Sequence, residues 1–198
     1  MVVLSERPDG IRIIRVSTLD EGMPYRTSFA GAYQDIFSED PYQERFRPSE
    51  AMGVLRHALE VPENITLLAV KGRSRVVGFG IGVPAKAEVG IRRAIMGLLP
   101  AQQTWYLSEL GVLSGFRKNG LGKELIRRRL QLIDRESYSQ AVLRVSSSRD
   151  HVFDMYMKLG FEDTGCYMEV ASRRLNGRVA TDRRVFLSKV LGPRDGDE

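Results

Sequence analysis

Apolar and polar positions alternate along Gly10–Thr18 (GIRIIRVST), a period of two that predicts a strand. The spacing then lengthens to three and four, and Tyr25–Ser38 and Pro48–Val61 read as two helices, the second opened by Pro48-Ser49-Glu50. An acidic, aromatic loop, SEDPYQERF, lies between them. The stretch ITLLAVKGRSRVVGFGIGVPA predicts two strands joined by a turn at Gly72–Ser74 and ended by Pro84. Ala87–Leu99 has the spacing of an amphipathic helix stopped by Pro100, and Trp105–Leu113 reads as a buried strand. The clearest helix runs from Gly120 to about Ser137. Leu121, Leu125, Ile126, Leu130, Leu132 and Ile133 make its apolar stripe, and Lys123, Glu124, Arg127, Arg128 and Arg129 fall mostly outside it. QAVLRVSS predicts a further strand and Asp150–Leu159 a further helix. Glu162–Arg173 and Asp182–Leu191 predict a closing strand pair about the turn LNGR. No repeat or linker interrupts the alternation, so the pattern describes one mixed α/β domain over residues 1–198, with its core at about 10–191.

Composition narrows the chemistry. A chain with 42% hydrophobic and 28% charged residues can build a core, and no stretch approaches the roughly 18 apolar residues of a membrane span. No secretion signal is visible at the start, MVVLSERPDG. Cys166 is the single cysteine and His57 and His151 the two histidines, which excludes a disulfide framework, a cysteine zinc cluster and a multi-histidine metal site. The expectation is a reduced, cytoplasmic, metal-free protein. Residues 18–63 hold nine acidic residues against four arginines, a net of −5, so the remainder carries +10 of the overall +5. A basic majority fits a polyanion, whether nucleic acid, a membrane surface or a nucleotide-like ligand, as well as a plain solvated surface.

The segment LGVLSGFRKNGLGKEL, Leu110–Leu125, decides among these. A strand runs into a loop with Arg117, Lys118 and two spaced glycines, Gly120 and Gly122, and the loop opens directly into a helix. Free N–H groups and the positive end of the helix dipole make such a junction an anion site. Glycine lets the backbone approach a ligand closely, and the arginine fork suits phosphate oxygens. The loop fits neither common phosphate motif. A Walker loop needs Lys after its second glycine, where Leu121 follows Gly120, and a dinucleotide fingerprint needs Gly where Leu125 stands.

Arg117-Lys118-Asn119-Gly120-Leu121-Gly122 matches R/Q-x-x-G-x-G/A, and Tyr156-Met157-Lys158-Leu159-Gly160-Phe161 matches Y-x-K-x-G-F. In that order and spacing, the two motifs resemble the signatures of the GNAT N-acetyltransferase family. The resemblance covers Trp105–Phe161 by motif and Gly10–Leu191 by order of elements. It implies a mixed, mostly antiparallel central sheet of about six to seven strands flanked by helices and splayed at an acyl-CoA site. Leu110, Gly111, Val112 and Leu113 would then pair with the pantetheine arm of acetyl-CoA, with Gly111 able to host a bulge. Lys118, Asn119, Gly120, Gly122 and Lys123 would offer N–H groups to the pyrophosphate, and Arg117 would fix the loop.

The implied reaction is direct attack of an amine on the thioester in a ternary complex, without metal. A backbone N–H would stabilise the oxyanion, and Tyr156 would protonate the departing thiolate. Glu109 is the candidate base, as a carboxylate on a central strand near the splay. Strand alternation puts Ser108 and Glu109 on opposite faces, and relatives carry the acid at either position. One departure is Arg149, seven residues before Tyr156, where relatives often have asparagine. His151 reads as a capping or solvent-facing residue and Cys166 as a small buried hydrophobe.

The acceptor is expected to be a small amine or amino-acid-like metabolite, with a protein amino group second. Glu39, Asp40, Tyr42 and Glu44 would draw in its cation, if they are not simply a solvated loop. No nucleic-acid or membrane partner is expected. A homodimer is possible, because Ala87–Leu99 is free to serve as an interface or as a lid over the cleft. Two rival readings stay open: an acyl-CoA-binding module without transfer activity, and a nucleic-acid binder using Arg127–Arg129.

Overall fold

The computed structural model describes residues 1–147 and 151–192 and contains one eight-stranded sheet. In chain order the strands are β1 (Val2–Glu6), β2 (Ile11–Val16), β3 (Ile65–Lys71), β4 (Arg75–Pro84), β5 (Thr104–Val112), β6 (Gln140–Ser146), β7 (Glu162–Arg173) and β8 (Val179–Val190). They lie in the order β1-β2-β3-β4-β5-β6-β8-β7. Every neighbouring pair is antiparallel except β5–β6.

Helices α1 (Leu19–Gly22), α2 (Arg26–Ser38) and α3 (Pro48–Glu60) follow β2. Between β4 and β5 lies α4 (Val89–Ala94); α5 (Leu121–Leu132) crosses from β5 to β6, and α6 (His151–Met157) precedes β7. The long crossover is what permits the one parallel pairing.

Residues of β2 and β3 are apolar on both faces, as strands between two helical layers must be. Ile11, Ile13 and Leu67 pack with α5 and α6, whereas Ile14, Val16 and Leu68 pack with α2 and α3. A third cluster joins Ile91 and Ile95 to Val83, Tyr106, Val142 and Phe186, and Cys166 packs half-buried against it.

Several elements depart from the sequence pattern. β1 is an edge strand the periodicity does not announce, because Val2 and Val3 are exposed and the pairing shifts register between Val3 and Ser5. It makes the sheet one strand larger than the upper expectation. Residues 87–99 hold only six α-helical residues, Val89–Ala94. Ile95 leaves helical geometry and Gly97 takes a φ of +81°, which ends the run. None of residues 87–99 lines the cleft described below. Helix α5 stops at Leu132, since Ile133 turns extended and buries its side chain in the core. Arg129, expected on the outer face, is 0% exposed. Among the described residues no helix is long and apolar enough to cross a membrane, and no group of three or more His, Cys, Asp or Glu could hold a metal ion.

Candidate active site

β5 and β6 pair from Thr104–Gln140 to Leu107–Leu143 and then part. Beyond that point β5 follows β4 to Val112, while β6 follows β8 to Ser146. A bulge sits at the divergence. Ile81 opposes Glu109 and Val83 opposes Tyr106, so Leu107 and Ser108 together face Gly82. The bulge is therefore not at Gly111. That glycine answers a different need, since a Cβ there would lie 2.6 Å from Cζ of Phe79.

The extra residue has a chemical consequence. Trp105 and Leu107 belong to the core under α5, and strict alternation would send Glu109 the same way. The bulge reverses it. Glu109 instead reaches the α2 side, where the Tyr33 hydroxyl donates to its Oε2 at 3.3 Å.

The parting strands open a cleft of about 570 Å³. One half is bounded by Leu110, Gly111 and Val112, by Arg117, Lys118 and Gly120–Lys123, and by Val152, Met155 and Tyr156. Leu113 donates its N–H to Val77 O on β4, so antiparallel alternation turns the N–H groups of Leu110 and Val112 toward the open edge.

In the loop that follows, the N–H groups of Lys118, Asn119, Gly120, Gly122 and Lys123 have no acceptor among the described residues, whereas that of Leu121 is capped by Asn119 Oδ1. Lys118 and Gly120 hold this shape with φ of +63° and +85°. Arg117, at the edge of the cleft, is tied to the end of β5 and to the loop after α2. Its Nε donates to Val112 O at 2.8 Å and its Nη1 pairs with Glu39 at 2.5 Å. Arg7, in the β1–β2 turn, supports the loop from behind by donating to Asn119 O and pairing with Glu124.

Of the residues singled out in the sequence, Tyr156, Glu109, Leu110, Gly111, Val112, Arg117, Lys118, Gly120, Gly122 and Lys123 all line this one cleft. Leu113 and Asn119 do not. Leu113 packs between the two cores, and the Asn119 side chain serves as the cap. His151 is exposed at the cleft. Arg149 lies outside the described residues.

Glu109 is half-buried, and burial pushes its carboxyl up to about 7, opposed by the Arg144 guanidinium and the Tyr33 hydrogen bond. Burial likewise raises Tyr156, and the Arg129 guanidinium opposes the shift. Arg129 itself donates through Nη1 to Ile81 O at 2.8 Å and to Glu109 O at 3.0 Å, tying together the two strands at the bulge. Gly80 makes this possible, because a Cβ there would stand 2.8 Å from Arg129 Nε. Only Arg127 and Arg128 of the basic run remain at the surface, and Arg128 faces Glu124 at 3.6 Å.

The other half of the cleft is walled by Tyr33, Phe37, Phe46 and Tyr106 and by the loop after α2. Two acids of that loop already have arginine partners, while Asp40 is exposed at the cleft and takes only an amide. Glu39 is held by Arg117, Glu44 is 8% exposed and accepts from Arg184 at 2.6 Å, and Asp40 accepts from Gln43 at 2.6 Å. The face of Tyr42 is covered by the Arg184 guanidinium, 4.6 Å from the ring centre.

Tyr33, Tyr106, Arg144 and Arg184 escape the sequence reading. The one signal for Arg144 is a charge in the middle of an apolar strand, AVLRV.

A family model described as "Acetyltransferase (GNAT) family" matches residues 29–161. No curated protein matches the chain at a significant level. Among solved structures, the ribosomal-protein-alanine N-acetyltransferase of Brucella melitensis superposes with a TM-score of 0.63 at 15% identity, covering 90% of this chain and 99% of that one. An aminoglycoside 6'-acetyltransferase type Ii superposes at 0.59 with 19% identity, covering 91% and 99%. The yncA protein of Salmonella typhimurium, solved with its cofactor acetyl-CoA, superposes at 0.58 with 15% identity, covering 95% and 98%. At these identities the likeness is one of fold.

Proposed function

The chain belongs to the GNAT acetyltransferase family, and on that premise we propose that it moves an acetyl group from acetyl-CoA to a primary amine bound in the same cleft. The observation that carries the reading is the parting of β5 and β6 after Leu107, with unpartnered N–H groups at one end of the opening and the Glu109 carboxyl at the other. The residues fit the donor. Five free N–H groups at the start of α5 suit a pyrophosphate, and the outward N–H groups of Leu110 and Val112 suit an amide-bearing arm. Acetyl-CoA, when bound, supplies an activated acetyl thioester.

The chain's own groups then manage two protons. As the carbon–nitrogen bond forms and the carbon–sulfur bond breaks, Glu109 accepts the proton lost by the amine, directly or through water. Tyr156 returns a proton to the sulfur. A carboxyl near 7 is poised to take a proton at neutral pH, and a tyrosine raised above its usual value stays protonated and able to give one. No acyl-enzyme is needed, since both reactants share the cleft.

A small amine is favoured as acceptor over a protein amino group. The loop after α2 is fastened to the β7–β8 hairpin by Glu44–Arg184, by Arg45 N–H on Arg173 O and by Leu175 N–H on Gln43 O. This bridge walls the acceptor half where an extended chain would have to pass.

Thermal melting with acetyl-CoA, CoA and ATP is the first test. A ligand at ~100 times its Kd adds about 2.7 kcal/mol, and both CoA species are expected to raise Tm by roughly 5–10 °C for a chain of this size. ATP is expected to leave Tm in place. CoA release above background with an amine panel then separates an enzyme from a binding module. A Tm that does not move at millimolar acetyl-CoA overturns the donor site.

A further inference from the structure

Five charged side chains line the acceptor half of the cleft: Asp40, Glu44, Glu109, Arg144 and Arg184. Three of them are engaged with one another or with their own loop, although Arg184 Nε has no partner. Glu44 and Arg184 hold each other, and Asp40 takes the Gln43 amide. Glu109 and Arg144 are left, and they face each other across the splay. Glu109 stands two residues past Leu107 on β5, and Arg144 stands one residue past Leu143 on β6, where Leu107–Leu143 is the last pair the strands share.

Arg144 is half-buried and poorly matched. Its Nε donates to the Tyr106 hydroxyl at 2.9 Å and its Nη1 to the thioether sulfur of Met168 at 3.0 Å. Among the described residues Nη2 has no partner and no carboxylate lies within ion-pair distance of the guanidinium, so Glu109 acts on it only through space. A phenol oxygen and a thioether are neutral, weak acceptors, and a half-buried guanidinium held by them alone gains from an anion that enters the cleft. A carboxylate would supply charge and a second acceptor oxygen together.

We propose that Arg144 anchors a carboxylate of the acceptor while Glu109 faces its amine, so that the substrate is an amino-acid-type molecule carrying both groups a few bonds apart. The proposal rests on the acetyl-transfer reading above and names its acceptor class. The short separation follows from the fold. Both residues stand just past the last pair of β5 and β6, on edges that face each other across the opening. Tyr33, Phe37 and Phe46 leave an aromatic wall for the rest of the acceptor.

The test compares the common L-amino acids, β-alanine and γ-aminobutyrate with their carboxamides, which keep the shape and remove the anion. Steady-state CoA release is measured on the full chain and on its Arg144→Met and Arg144→Lys variants. The acids are expected to exceed their carboxamides in kcat/KM by at least about tenfold, the loss typical of a charged hydrogen bond. Arg144→Met should bring that ratio close to one, chiefly by raising KM for the acids. Arg144→Lys should retain part of it, because the cation survives without the planar fork.

Equal use of acids and carboxamides, a ratio that survives Arg144→Met, or faster acetylation of peptides with free N-termini than of any amino acid overturns the proposal. The acetyl-transfer reading stands in each of those cases. If no amine or amino acid releases CoA, that reading fails and melting decides the subsite. Amino acids that raise Tm of the unaltered chain but not of Arg144→Met keep the subsite, and no shift removes it.

Discussion

Glu109 and Tyr156 are both raised by burial, and the same shift suits them to opposite tasks. A carboxyl at about 7 exchanges its proton in the working range, whereas a raised tyrosine keeps its own until a stronger base arrives. Glu109→Gln is therefore expected to lower kcat/KM by about 10²-fold and to abolish the rise in rate as pH climbs through about 7. Stability should move the other way. The native carboxyl binds its proton more tightly than the unfolded one, so its contribution is fully present below about 4.5 and lost as pH rises through about 7. At pH 8 Glu109→Gln should be more stable than the unaltered chain by about 1–3 kcal/mol, and urea titrations should show the gain vanishing near pH 4.5. Tyr156→Phe should cut kcat about 10²-fold while leaving the Tm rise with CoA intact. Unchanged turnover would remove Tyr156 as the acid. Tyr156 and Glu109 are legible in the sequence because one sits in a motif and the other is a charge on an apolar strand. Tyr33, the partner of Glu109, is not. Its bond spans 76 residues, and local periodicity carries no such information.

At the level of the elements, one bulge and one buried arginine shape the site. The bulge at Leu107–Ser108 turns Glu109 toward α2, and Arg129 holds the carbonyls of Ile81 and Glu109 beside it. The run Arg127-Arg128-Arg129 reads as the outer face of a helix, and for two residues it is. The third is buried because Gly80 on β4 leaves room for its stem, a complementarity between positions 49 residues apart. Gly80→Ala places a methyl against Arg129 and is expected to cost about 1–3 kcal/mol. Arg129→Met, which strips a donor from two strand carbonyls, should cost a similar amount. Because each relieves part of the other's fault, the double variant should lose less than the two losses added, by at least about 0.5 kcal/mol. Denaturant unfolding of the four proteins measures this coupling, and strict additivity would show that Gly80 has another purpose.

The whole molecule places two half-sites of different origin in one cleft. The proposed donor half comes from a continuous segment, β5 through α5, with Tyr156 following on α6. The proposed acceptor half is assembled from α2 and its following loop, from Tyr106 and Glu109 on β5, from Arg144 on β6 and from Arg184 on β8. The order of elements from β2 onward, the alternation of layers and the strand–loop–helix junction at Arg117–Lys123 are legible in the sequence alone. Each depends on contacts within about a turn or a strand, where spacing and residue type are sufficient. Strand β1, the short α4, the bulge, the burial of Arg129 and the pairing of Glu39 and Glu44 with arginines are decided only in the folded chain. These depend on which distant surfaces meet, and a charge that looks free in sequence is neutralised or left unpaired according to what the sheet brings beside it. Tertiary structure pairs Glu39 and Glu44 with arginines and leaves Glu109 and Arg144 facing one another across the opening.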